Sequence, residues 1–143
     1  MPQAQRTVLI YRPVDEVFAF FTDPRNDRQW RPQVKEIAAQ DPAAVGSTIH
    51  QVVAGPGGRS IRADIEVTAY EPSTRYAFRV TAGPVRPNGE FRFTPNDGAT
   101  QVSFFLNAEL GGIKKLLMSK TVQKSMDGEM ASLDKAKAII EQA

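Results

Sequence analysis

Residues 61–70 read Ile-Arg-Ala-Asp-Ile-Glu-Val-Thr-Ala-Tyr. Ile61, Ala63, Ile65, Val67 and Ala69 alternate strictly with Arg62, Asp64, Glu66, Thr68 and Tyr70. A period of two sends successive side chains to opposite faces, so this run is a strand with one buried and one wet face. The rhythm continues on both sides. Downstream, Glu71-Pro72-Ser73-Thr74 turns the chain, and Tyr76, Phe78 and Val80 then alternate with Ala77, Arg79 and Thr81. After a Gly/Pro segment at 83–89, Phe91 and Phe93 alternate with Glu90, Arg92 and Thr94. Pro95-Asn96-Asp97-Gly98 is a strong turn, and Val102, Phe104, Leu106 and Ala108 form the last apolar face. Upstream, the AGPGG stretch at 54–58 is a hairpin loop, Gly46 opens a strand to about residue 53, and residues 34–40 form another that Asp41-Pro42 turns. With the β-rich run at 6–11 (RTVLIY), the count is seven strands, the last six antiparallel through short connections.

Helical spacing occurs in three places. Pro13 is tolerated in a first turn, and Val14, Val17, Phe18 and Phe21 share a face behind Asp15 and Glu16, giving a helix at 13–22. Asp23-Pro24 starts a second, short helix that ends near Trp30 before Pro32. Residues 113–142 read as one long helix, about 45 Å if unbroken. Along it Met118, Val122, Met126, Met130, Leu133, Ala136 and Ile140 share one face. Ile113, Leu116 and Leu117 point elsewhere, which predicts a bend near them or a different partner for the first turn. One helix covers so wide a sheet only if the sheet twists and curls around it. The expected fold is therefore α+β: a seven-stranded curved antiparallel sheet gripping a long C-terminal helix, two short helices between strands one and two, and an internal hydrophobic cavity.

The 143 residues suit a single domain, 1–143, and neither a repeat nor a linker divides them. Cysteine is absent, which excludes a disulfide framework, a thiolate nucleophile and a Cys-based zinc site. A single histidine has no partner for a metal site. The net charge of +2 is spread along the chain and does not point to nucleic acid. There is no signal-peptide pattern at the N-terminus and no apolar run near the roughly 20 residues of a membrane span. The expected location is the cytoplasm, without membrane insertion, as a monomer or homodimer.

Pro13-Val14-Asp15-Glu16-Val17-Phe18, Thr22-Asp23-Pro24, Asn26 and Trp30-Arg31-Pro32, with Gly46-Ser47-Thr48 and the turn at 95–100, resemble the polyketide cyclase/dehydrase-like branch of the START-related helix-grip superfamily (SRPBCC), which also holds the birch-pollen-allergen-like proteins. The resemblance covers essentially the whole chain. It implies a pocket for a hydrophobic or aromatic small molecule, lipid or polyketide-like, and no cofactor. Family members include lipid carriers, hormone receptors and aromatic cyclases.

The inward phase of strands and helix nominates Trp30, Ile65, Tyr76, Phe78, Phe91, Phe93, Phe104, Met118, Val122, Met126 and Met130 as ligand-binding residues. Each of these also reads as ordinary core, because one face of the fold does both jobs. His50 is the weak catalytic candidate on chemical grounds. Its strand turns either Thr48, His50 and Val52 or Ile49, Gln51 and Val53 inward, and apolar count does not choose. Tyr76, in phase with Phe78, is the other candidate. Tyr11, Gln51 and Asn107 complete the uncharged polar residues that could reach the interior. Asp64, Glu66, Glu90, Arg62, Arg79 and Arg92 lie opposite the apolar phase and read as ion pairs on the solvated convex face. GPGG at 55–58 lacks the Lys-Ser/Thr and the helix of a phosphate loop. Two functions follow: binding of a hydrophobic small molecule, or a cyclase/dehydrase-like enzyme acting on a poly-keto substrate in the same cavity.

Overall fold

The computed structural model describes residues 2–39, 44–83, 85–110 and 112–143, without the side chains of Ala39, Pro56 and residues 112–118. Its elements run β1 (Gln3–Ile10), α1 (Val14–Thr22), a 3-10 turn (Pro24–Asn26), α2 (Asp27–Trp30), β2 (Val34–Ala39), β3 (Thr48–Ala54), a second 3-10 turn (Pro56–Gly58), β4 (Ser60–Arg62), β5 (Ile65–Glu71), β6 (Arg75–Val80), β7 (Asn88–Asn96), β8 (Ala99–Asn107), α3 (Gly112–Ala131) and α4 (Leu133–Gln142). One antiparallel sheet has the order β1-β8-β7-β6-β5-β3-β2, with β4 paired to β3 beside that path. The C-terminal helices and α1 close the sheet's apolar side, where Val17, Trp30, Ile49, Val102, Phe104, Leu133 and Ala136 are buried.

Local chemistry fixes the turns. Asn96 pairs with Ala99, so Asp97-Gly98 is a two-residue hairpin loop. Both loop residues have positive φ, 49° and 82°, as a turn matching the right-handed twist of the strands requires. In the β5–β6 turn the Thr74 N–H donates to the Glu71 carbonyl at 3.0 Å, and Ser73 carries φ 61°. A side chain costs roughly 1–2 kcal/mol in that left-handed region, and glycine's extra freedom in the unfolded chain takes part of the gain back. Ser73→Gly is therefore expected to raise stability by about 0.5–1 kcal/mol, as a shift of the urea midpoint without a change in slope.

The strand expected at 61–70 is broken in two. The Ala63 N–H still donates to the Gln51 carbonyl at 2.9 Å, and Asp64 then folds back onto β3. Its carboxylate accepts from the Arg62 Nε at 2.9 Å and the Gln51 N–H at 3.3 Å, and meets the His50 Nδ1 at 2.8 Å. Asp64 is thus buried rather than on a wet face. The Arg62 guanidinium holds its carboxyl below the usual carboxylate range against the opposing effect of burial, with help from Gln51 and His50. A register shift between Val67 and Ala69 changes the phase again. It turns Tyr70, expected outside, into ring contact with Phe18 at 5.3 Å and Tyr76 at 6.2 Å. The other expected convex pairs are present: Glu66 accepts from the Arg79 Nε at 2.6 Å, and Glu90 bridges Arg75 and Arg92.

The long helix is interrupted at Ser132, not near residues 113–117, whose side chains lie outside the described residues. The Ser132 hydroxyl donates back to the Gly128 carbonyl at 3.0 Å, a bond that bends helices. Beyond the bend α4 packs against β1 and α2. No described helix is long and apolar enough to cross a membrane. The expected turn at Asp41-Pro42 lies outside the described residues.

Candidate functional site

Between the concave face of the sheet and α3 lies a cavity of about 210 Å³. Eight of the nominated residues line it: Trp30, Ile65, Tyr76, Phe78, Phe91, Phe104, Val122 and Met126. Phe93 and Met130 are buried but do not line it; Phe93 is taken up by ring contacts with Phe18 at 5.1 Å and Phe21 at 6.0 Å. The Met118 side chain lies outside the described residues. Phe91 is the hub of the aromatic wall. It stacks on Phe104 with centroids 4.1 Å apart and planes 6° from parallel, and it touches Phe21, Trp30, Tyr76 and Phe78.

The β3 phase is decided in favour of Ile49, Gln51 and Val53, all of which line the cavity. His50 consequently points away. Its side chain is 48% exposed and paired with Asp64 on the far side of the strand from the cavity. Tyr11 is 62% exposed, with the Lys137 ammonium 4.5 Å above its ring, and Asn107 is exposed. Neither reaches the interior. The reason for Tyr11 is that β1 ends at Ile10, so its side chain follows no strand phase.

One end of the cavity is charged, which the sequence reading did not anticipate. Asp27 and Arg31 come from α2 and the residue after it, and Glu129 from α3. The Arg31 Nε and Nη2 donate to the two Glu129 carboxylate oxygens at 2.8 and 2.9 Å. Its Nη1 donates to Asp27 Oδ2 at 3.0 Å and to Gln51 Oε1 at 3.2 Å. The side chains of Arg31, Asp27 and Glu129 are only 13%, 15% and 15% exposed, so these charges interact where water screens little. Burial pushes Asp27 up to about 6 and outweighs the opposing pull of Arg31; the Glu129 charge adds to the rise. Burial works against the Arg31 charge, but Glu129 and Asp27 together hold it above the ordinary arginine value. Tyr76 is raised by burial first and by the Asp27 charge second.

Two polar groups at this end have no full hydrogen bond among the described residues. The Trp30 indole N–H is buried without an acceptor in bonding geometry, although Asp27 feels it as a weak donor. Tyr76 is only 5% exposed, and no described group bonds its hydroxyl. A signal for the charged end was present in the sequence. Asp27 and Arg31 are an i, i+4 pair, and Glu129 stands three residues after Met126 and one before Met130, inside the arc that faces the sheet.

Comparison with known proteins bears on what this site belongs to. Among curated protein sequences none matches the chain. Among solved structures it is similar to TTHA0849 from Thermus thermophilus, with a TM-score of 0.81 and 20% identity over 97% of both chains. It is similar to Ara h 8.0201 as well, with a TM-score of 0.78 and 10% identity over 99% of this chain and 98% of that one. It also matches half of StfQ, a di-domain ARO/CYC from the steffimycin biosynthetic pathway, with a TM-score of 0.77 and 14% identity over 98% of this chain and 51% of that one. At such identities these likenesses show the shared helix-grip fold. The family model described as polyketide cyclase / dehydrase and lipid transport matches residues 1–137. With a curled antiparallel sheet, a bent C-terminal helix and a cavity between them, this chain belongs to that family.

Proposed function

We propose that the chain binds a small, flat, largely hydrophobic molecule in the cavity between the sheet and α3. The observation that carries the reading is the wall itself: aromatic rings from α1, α2, β6, β7 and β8 converge on one cavity. Apolar area removed from water contributes roughly 25 cal/mol per Å², so such a wall holds a ligand with few polar anchors. Size limits the class. Pockets for drug-sized ligands run about 300–1,000 Å³. A space of about 210 Å³ favours a one- or two-ring aromatic over a diacyl lipid or a tetracyclic polyketide.

A ligand that binds only the folded state stabilises it by RT ln(1 + [L]/Kd), about 2.7 kcal/mol at a hundred times Kd. Naphthalene-sized compounds are therefore expected to raise the melting temperature in proportion to log concentration, while a four-ring hydrocarbon does not. Native mass spectrometry of the freshly purified protein, with solvent extraction, would identify a resident molecule. A melting temperature that no aromatic compound moves would count against the reading.

A cyclase/dehydrase-like enzyme is the second reading, and one observation favours it. Asp27 lines the cavity with its acidity tuned to about 6, close to what proton transfer at neutral pH requires. Tyr76 lines the same cavity and feels the Asp27 charge, its hydroxyl bonded by no described group. Under this reading Asp27 and Tyr76, not His50, are the acid/base groups.

A further inference from the structure

The charged end of the cavity does not balance. Asp27 and Glu129 set two carboxylates against the one guanidinium of Arg31, and no other charged side chain among the described residues lines the space. Both Glu129 oxygens are taken by Arg31, whereas Asp27 is held by Arg31 through Oδ2. An unbalanced charge in a poorly screened site is costly, and at Asp27 the Glu129 charge adds to a cost that burial sets first. A bound cation would remove it. The cavity suits one, because Trp30, Tyr76, Phe21 and Phe91 line it together with Asp27 and the face of an aromatic ring attracts positive charge. The Tyr76 hydroxyl, with no hydrogen bond among the described residues and in a residue only 5% exposed, offers an acceptor in the same cavity, within reach of the Asp27 charge.

We infer that the ligand is an aromatic amine carried as its ammonium form, with the ring system against Phe91 and the nitrogen at Asp27 and Tyr76. The inference rests on the ligand-binding reading above and names its chemical class. It also excludes fatty acids and aromatic carboxylates. Their charge would enter next to Asp27, and the one cation available to them is already saturated by carboxylates. A hydroxyl in place of the ammonium keeps the hydrogen bond and loses the charge.

The test is isothermal titration at pH 7.5 with four probes that share a ring system: 2-naphthylmethylamine, 2-naphthylmethanol, 2-naphthoic acid and 2-methylnaphthalene. The amine is expected to bind about ten- to a hundredfold more tightly than the alcohol, from a charge-assisted bond in a buried site. The acid is expected to bind least. Asp27→Asn should bring the amine down to the affinity of the alcohol while leaving the hydrocarbon unchanged. Glu129→Gln removes the excess charge from the other side and should reduce the preference too, which guards against a folding defect in either variant. If the alcohol or the acid binds as tightly as the amine while the hydrocarbon binds, the charge inference is wrong and the cavity reading survives. If none of the four binds, both fall.

Discussion

Arg31→Met is expected to destabilise the fold by about 3–5 kcal/mol, the range for breaking a buried ion pair by removing one partner. The methionine fills most of the stem, so packing changes little. What is lost is the counter-charge to two carboxylates that are 15% exposed. Three elements lose a shared tie as well, since Arg31 joins α2 to β3 through Gln51 and to α3 through Glu129. The electrostatic origin has its own signature. In the native protein Asp27 is already raised to about 6, above its unfolded value of 3.8. The folded state therefore takes up a proton more readily than the unfolded one, and this group weakens folding as pH rises from about 4 to about 6. Without Arg31, whose charge opposes the rise, Asp27 should hold its proton to still higher pH. The deficit of the variant measured by urea denaturation should then be larger at pH 7.5 than at pH 5, and adding Glu129→Gln should recover part of it. A deficit independent of pH would mean that packing alone was lost.

Phe91→Ala is the second large effect, also about 3–5 kcal/mol. Phe91 is 4% exposed, stacks on Phe104 at 4.1 Å, and is ringed by Phe21, Trp30, Tyr76, Phe78 and Phe93. Truncation loses the transfer free energy of the ring and those ring contacts, and the space it leaves joins the existing cavity. The cost should therefore exceed that of Phe78→Ala, whose ring is only half-buried. The enlarged space gives a second readout: the variant should accept three-ring hydrocarbons that the native cavity refuses, seen as a rise in melting temperature.

The fold was legible because its determinants are local. Alternation at 76–81, 90–94 and 102–108 marks β6, β7 and β8, and Asp97-Gly98 marks their tightest turn. Residues 61–70 look like the safest strand of all, and there the alternation hides two breaks. Asp64 leaves the ladder because its carboxylate finds Arg62, His50 and a backbone N–H on β3, and the shift after Val67 turns Tyr70 inward. Both depend on partners across the sheet, which a one-dimensional pattern does not contain. The aromatic wall of the cavity followed from strand phase. Its charged end did not, because Arg31 and Glu129 are 98 positions apart and a charged residue near a helix start or stop reads as solvated by default. His50 drew notice for its chemistry alone, while Asp27 acquired its chemistry from burial.

The pairing of β1 with β8 has a consequence for the chain as it is made. Ile10 is laid against Thr100 and Gln3 against Asn107, so the first strand meets its one sheet neighbour among the described residues after nearly all the other strands exist. At translation rates of roughly 5–20 residues per second, β1 waits on the order of 5–20 s with its edge unpaired and its apolar residues uncovered. Every other strand of the main path lies beside a strand next or next-but-one to it in sequence. The nascent protein is therefore most exposed to holding chaperones, and to mispairing with a second nascent chain, through the strand Gln3–Ile10.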